Sequence, residues 1–130
     1  MSLFERLAPL LARILIAVPF LFAAPFKMPG MASFAANVDF AAKTGVPFPS
    51  VAVALAALLD LVAGLMLVVG WHARPAAAAL ALYVALLTVI FHLDFTSHMK
   101  IGFFINHLVL IGALIYVSVY GAKSYAVRKD

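Results

Sequence analysis

The strongest constraint on this chain is an acidic residue in the middle of an otherwise apolar stretch. Residues Val51–Gly70 contain a single ionisable side chain, Asp60. A helix of this length rises about 30 Å, which is the hydrocarbon thickness of a bilayer. A carboxylate at the centre of a membrane helix costs roughly 2.5–3.5 kcal/mol on insertion scales. We therefore expect Asp60 to face protein or a wet cavity, and other segments of the chain to satisfy it.

The composition is that of a membrane protein. The chain has 130 residues, of which 67% are hydrophobic and 11% are charged, whereas a soluble domain carries about 25% charged residues. The absence of cysteine excludes disulfide chemistry, thiolate metal sites and iron–sulfur clusters. The net charge of +4 indicates loop topology and lipid contact rather than nucleic-acid binding. We expect a single domain, residues 1–130, embedded in a lipid bilayer.

The pattern of apolar segments predicts an all-α fold, a polytopic membrane four-helix bundle. The predicted spans cover about residues 7–26, 51–70, 76–93 and 101–120, and connections rich in proline, glycine and polar residues separate them. In the first external loop, Met31–Lys43 has apolar residues at helical spacing, which predicts a short interfacial helix. The short second and third connections predict that sequential spans are antiparallel neighbours.

Basic residues are distributed unevenly between the two sides of this bundle. One side holds Arg6, Arg74, Lys123, Arg128 and Lys129, and the other holds Lys27, Lys43 and Lys100. Cytoplasmic loops of multi-pass proteins carry the excess of lysine and arginine. The distribution therefore predicts that both termini are cytoplasmic and that the interfacial helix is external.

Arg13 is the first candidate partner of Asp60. The rise per residue places Arg13 about 10 Å inside the first span and Asp60 about 15 Å from the same side. These depths permit an ion pair, either direct or through water. In one interpretation the pair serves only to stabilise the bundle. In the other, Asp60 also accepts protons or binds a ligand. Gly64 is one turn from Asp60 and would allow a neighbouring helix to approach closely.

A second group of polar residues is predicted in the outer half of the bundle, namely Lys27, His92, Asn106 and His107. His92 and His107, with Asp94 and His98, could ligate haem or a metal, although no short ligand motif is present. Alternatively, histidine and lysine could bond to quinone carbonyls while Asp60 handles protons. In a third interpretation the histidines bond only to backbone or water. The residues leave all three open.

The order of these features resembles the DoxX family over nearly the whole chain. The features are Arg13 within the first span, Lys27 at its outer end, Gly45-Val46-Pro47-Phe48-Pro49 before the second span, Asp60 ahead of Gly64, the Gly70–Arg74 connection, and Phe91-His92 closing an alanine-rich third span. The chain departs from the family pattern at Asp60, where many relatives have glutamate, and at prolines 19 and 25.

The resemblance implies a bacterial-type inner-membrane protein associated with redox chemistry. The family is named for a subunit of a quinone-linked oxidase and is similar to the small membrane subunit of thiosulfate:quinone oxidoreductase. A quinone-like ligand and a soluble redox enzyme as partner are therefore expected. Gly102, Gly112 and Gly121 could support helix–helix contacts, either within the bundle or in a homo-oligomer. Asp60 and Arg13 would be the catalytic residues, with the outer polar group binding the ligand. The alternative is a non-catalytic binder or transporter of an amphipathic molecule, or a membrane scaffold.

Overall fold

The computed structural model describes residues 1–127 and contains five helices and no strand within that range. The helices are α1 (Leu3–Lys27), α2 (Phe34–Lys43), α3 (Pro49–Val69), α4 (Ala73–Phe91) and α5 (His98–Tyr120). All except α2 are long and apolar enough to cross a membrane. The predicted all-α fold is therefore confirmed, with helix ends a few residues from the predicted bounds. Arg128 and Lys129, which entered the charge count, lie outside the described residues.

The helix ends follow from local side-chain chemistry. Ser2 and Glu5 form a capping box at the start of α1, in which each side chain accepts a hydrogen bond from the other residue's backbone N–H, at 3.1 and 2.6 Å. Helix α3 begins at Pro49, whose missing N–H costs nothing in a first turn. It ends at Gly70, which has a φ of 74° that an L side chain rarely adopts.

The spanning helices pack in the order in which they occur in the chain. Helix α1 lies against α3, α3 against α4 and α4 against α5, as the short connections predicted. Helix α2 lies mainly on α3, whereas α1 and α5 meet at only a few residues. We call the end of the bundle that carries α2 the α2 end. The opposite end holds the α3–α4 connection and the residues that follow α5.

Helices α1 and α3 approach each other closely at a glycine, Gly64. The buried core is rich in alanine, including Ala17, Ala57, Ala63, Ala73, Ala76 and Ala77. Gly64 of α3 lies against Phe20 and Leu21 of α1, and a Cβ atom built on Gly64 would lie 2.9 Å from Cδ2 of Leu21. Small residues of this kind let two membrane helices approach closely. The expectation for Gly64 therefore agrees with the observed packing.

We predict that Gly64→Leu destabilises the bundle by about 1–3 kcal/mol, because a larger side chain must displace Leu21 and Phe20 of α1. Ala79→Leu on α4 is the matched control, since Ala79 is an exposed small residue. Thermal unfolding in detergent should show a lower midpoint for the first variant only. Equal midpoints for the two variants would contradict the close approach of α1 and α3.

Candidate functional site

The buried acid in α3 forms an ion pair with the last residue of α1. Nζ of Lys27 lies 2.9 Å from Oδ2 of Asp60 and 2.7 Å from Oη of Tyr83, which is on α4. The Asp60 side chain is 1% exposed and that of Lys27 is 22% exposed. We call these three residues the buried polar cluster. It joins three helices and neutralises the carboxylate that the bilayer would otherwise disfavour.

The Lys27 ammonium retains one unused hydrogen-bond donor in this arrangement. A protonated lysine has three N–H groups, and the structure assigns one to Asp60 and one to Tyr83. Both Lys27 and Tyr83 line an adjacent cavity, whereas Asp60 lies behind them. Lys27 and Tyr83 therefore bring polar atoms to the cavity wall, while Asp60 balances the charge of Lys27.

The cavity has a volume of about 420 Å³ and lies at the α2 end of the bundle. Its walls come from the end of α1, from α2, from the first half of α3 and from the second half of α4. The polar residues on these walls are Lys27, Asn37, Tyr83 and His92, and the rest are apolar. The Asn37 amide donates to the carbonyl of Phe26 at 2.8 Å, which ties α2 to the end of α1.

His92 and His107 lie together beside this cavity. Their ring centroids are 4.4 Å apart, and the rings meet edge to face. The Thr88 hydroxyl lies 2.7 Å from the Val84 carbonyl, to which it donates, and 2.9 Å from Nδ1 of His107. Because a hydroxyl has one hydrogen, Nδ1 of His107 is then the donor to Thr88. His92 lines the cavity, whereas His107 lines the groove between α1 and α5.

The depths of Arg13 and Asp60 permitted an ion pair between them. In the structure the two side chains do not meet, so this expectation was wrong. Arg13 is buried at the opposite end, where Nη1 contacts the carbonyls of Leu67 and Val68 at 3.2 Å each. Its Nη2 donates to the carbonyls of Ser124 and Tyr125 at 2.8 and 3.0 Å. A guanidinium group satisfies the free carbonyls at a helix C-terminus. Arg13 therefore fastens the segment after α5 to the end of α3.

Two other candidates lie away from the cavity. Asn106 is exposed in the groove between α1 and α5, which has a volume of about 470 Å³. Asp94, in the α4–α5 loop, accepts hydrogen bonds from Lys100 and from the backbone of Thr96, and these hold the pKa of Asp94 at about 2. Within residues 1–127 no three His, Asp or Glu side chains form a group that could hold a metal.

Tyr83 and Asn37 are the polar cavity residues that the sequence analysis did not assign to the site. The Tyr83 hydroxyl accepts a hydrogen bond from Lys27, which is 56 positions earlier in the chain. The available signal was the depth of Tyr83, which lies two turns from the end of an alanine-rich span. Nothing in the local sequence pattern around Asn37 indicated its contact with α1.

The helices and the buried polar cluster define a multi-pass α-helical membrane protein with a polar site inside its bundle. Comparison with known proteins gives its family. The DoxX family model matches residues 8–93, and the chain belongs to the DoxX family.

Comparison with curated proteins gives one similar protein, the inner membrane protein YphA of Escherichia coli strain K12. The two chains are 31% identical over 83 residues, which is 64% of this chain and 57% of the relative. The matched region therefore spans little more than half of the relative's length. No solved structure matches the chain.

We predict that Lys27→Met destabilises the protein more than Asp60→Asn does. The first change leaves a buried carboxylate without its cation, which costs about 3–5 kcal/mol. The second leaves Lys27, whose partly exposed side chain can extend toward the interface. Thermal unfolding of both variants in the same detergent measures the difference.

The double variant Lys27→Met/Asp60→Asn serves as the control for charge. It removes both charges and should be more stable than Lys27→Met alone, because no isolated carboxylate remains. If the losses of the single variants simply add, the two charges are independent and the ion pair is not what holds Asp60.

Proposed function

We propose that this chain is an inner-membrane component of a redox system and binds a quinone or quinone-like molecule in the cavity at the α2 end. The observation that carries the proposal is the position of Lys27, a hydrogen-bond donor, on the wall of a largely apolar cavity. A bound quinone supplies two-electron, two-proton chemistry through its carbonyl oxygens. The protein would hold one of those oxygens at Lys27.

The cavity residues fit a quinone head group. A volume of about 420 Å³ lies within the roughly 300–1,000 Å³ of typical ligand sites, and such sites combine apolar walls with a few polar groups. Lys27, Tyr83 and His92 supply the hydrogen-bonding groups for carbonyl oxygens. Because the cluster already balances its charges, it favours an uncharged head group over an anion.

The proposed roles follow the positions of the side chains. Asp60 holds Lys27 in place and is the nearest acid for proton handling, although it does not line the cavity. His107 would position His92 through their ring contact. Arg13 and Asn106 lie outside the cavity, so within this proposal they support the bundle and do not contact the ligand.

The proposal includes a soluble enzyme as the electron source, because the cysteine-free sequence cannot build a thiol or iron–sulfur electron carrier. It also allows a second copy of the chain to pack on α5. Gly102 and Gly112 have no described atom within 4 Å of a built Cβ and are free for such a contact.

We predict that Tyr83→Phe weakens binding of decylubiquinone by about tenfold, because the loss of one buried hydrogen-bonding group costs roughly 1–1.5 kcal/mol. The matched control is Tyr116→Phe, which removes a hydroxyl from an exposed residue of α5. Purified protein in nanodiscs should be titrated while its intrinsic fluorescence is recorded. Unchanged affinity in Tyr83→Phe would contradict a hydrogen bond between the ligand and Tyr83.

A second candidate function uses the same cavity without electron transfer, as a binder or transporter of an amphipathic molecule. The four polar residues and the apolar walls of the cavity suit an amphipathic ligand as well as they suit a quinone. Mass spectrometry of ligand that copurifies with the protein separates the two. A quinone supports the redox component, and a lipid without a redox group supports the binder.

We also propose that both ends of the chain are cytoplasmic. The described ends lie on one side of the bundle, since the Ser124 hydroxyl donates to the Arg6 carbonyl. Alkaline phosphatase fused after residue 127 should be inactive in a bacterial host, while a fusion in the Met31–Thr44 loop should be active, because the enzyme folds only outside the cytoplasm. The reverse pattern of activities would contradict this orientation.

A further inference from the structure

Exposed apolar side chains of α2 and α4 line the cavity, and we take its mouth to lie between these two helices. Phe40, Leu86 and Ile90 line the cavity and are also 58%, 53% and 43% exposed. Leu86 and Ile90 continue a row with Leu82, which is 64% exposed, at intervals of four residues along one face of α4. Since α4 spans the membrane, this row faces lipid. The mouth therefore opens beside a lipid-facing surface.

Tyr83 lies deeper in the membrane than the exposed side chains at the mouth of the cavity, whereas His92 lies at the end of α4. Leu86 is five residues before the end of α4, about 8 Å inside, and Tyr83 is eight residues before it, about 12 Å inside. A molecule that reaches Lys27 and Tyr83 from this mouth must place its oxygen atoms farther in than its apolar part. This is the reverse of a phospholipid, whose charged head remains at the surface.

A pair of aromatic rings lies across the mouth. Phe40 of α2 stacks on Phe91 of α4, with ring centroids 5.2 Å apart and an angle of 24° between the ring planes. Asn37, one turn earlier, bonds to the Phe26 carbonyl next to Lys27. Helix α2 is thus tied to α1 by a polar contact and to α4 by an apolar one. The apolar contact is the one that an entering molecule must displace.

We propose that the cavity takes its ligand sideways from the bilayer, between α2 and α4, and that the ligand is an uncharged lipid. Its oxygen-bearing head lies against Lys27 and Tyr83, and its apolar tail passes the Phe40–Phe91 pair into the membrane. This inference deepens the proposed function, on whose cavity it rests, by naming the class of ligand and its route. Water-soluble molecules and lipids with anionic heads are excluded from this class.

The route can be tested without knowing the ligand. In a Trp71→Phe background, which removes the one tryptophan, Val53→Trp places a fluorophore on a buried position of the cavity wall. Ala56→Trp is a second reporter if the first fails to fold. The protein is reconstituted with lipids brominated on their acyl chains or, separately, exposed to aqueous iodide. We expect strong quenching by the brominated lipids and little by iodide.

The aromatic pair is tested on the same reporter. Phe40→Ala should increase quenching by brominated lipid severalfold, because it opens the mouth. Phe22→Ala is the matched control, since Phe22 is an exposed ring on α1 that lies at a tilt against Phe26 and does not line the cavity. Stronger quenching by iodide than by lipid would show that the cavity opens to water and would overturn the proposal. Absence of quenching by both would overturn it as well.

A binding experiment separates this inference from the proposed function. Decylubiquinone is compared with its tail-free head group, 2,3-dimethoxy-5-methyl-1,4-benzoquinone, in the same vesicles. Binding of the tailed molecule at tenfold or lower concentration supports the lateral route, and equal binding of both contradicts it. If neither binds while brominated lipid still quenches the reporter, the quinone assignment fails and the lateral mouth stands.

Discussion

The ion pair between Lys27 and Asp60 is the interaction on which the rest of the structure depends. A carboxylate in the middle of a membrane helix is stable only if a cation or several donors reach it. Here the cation comes from the last residue of α1, and its hydrogen bond to Tyr83 adds α4 to the same contact. The pair therefore fixes the relative positions of three helices and at the same time forms the polar end of the cavity.

The packing of α1 on α3 determines why lysine, and not arginine, meets the acid. Phe20 lies level with Gly64, so the antiparallel helices bring the end of α1 close to the level of Asp60. The long lysine side chain covers the remaining distance. Arg13, two turns before Phe20, lies instead beside Gly70, where a Cβ atom would meet its Nη1 at 2.3 Å. Glycine at position 70 thus makes room for the guanidinium group.

The helices were predictable from the sequence because length and apolar composition alone decide whether a segment spans a bilayer. The partner of Asp60 was not predictable, because the depth of each residue was counted along the backbone from the helix end. Such a count does not show that a long side chain such as that of Lys27 extends along the helix to the level of Asp60. The partners of Arg13 are backbone carbonyls, which have no signature in a sequence. Tyr83 was not assigned to the site because a tyrosine that only packs and a tyrosine that accepts a hydrogen bond from lysine occur in the same sequence pattern.

The Arg13 contacts have a consequence for the order in which the protein can be completed during synthesis. The carbonyl partners of its Nη2 belong to residues 111 and 112 positions later in the chain. Residues 124 and 125 must therefore be synthesised before these two hydrogen bonds can form, although the carbonyls of Leu67 and Val68 are present earlier. Helix α1 is thus synthesised before the partners of its two cations: Asp60 reaches Lys27 with α3, and the last partners of Arg13 come with the segment after α5.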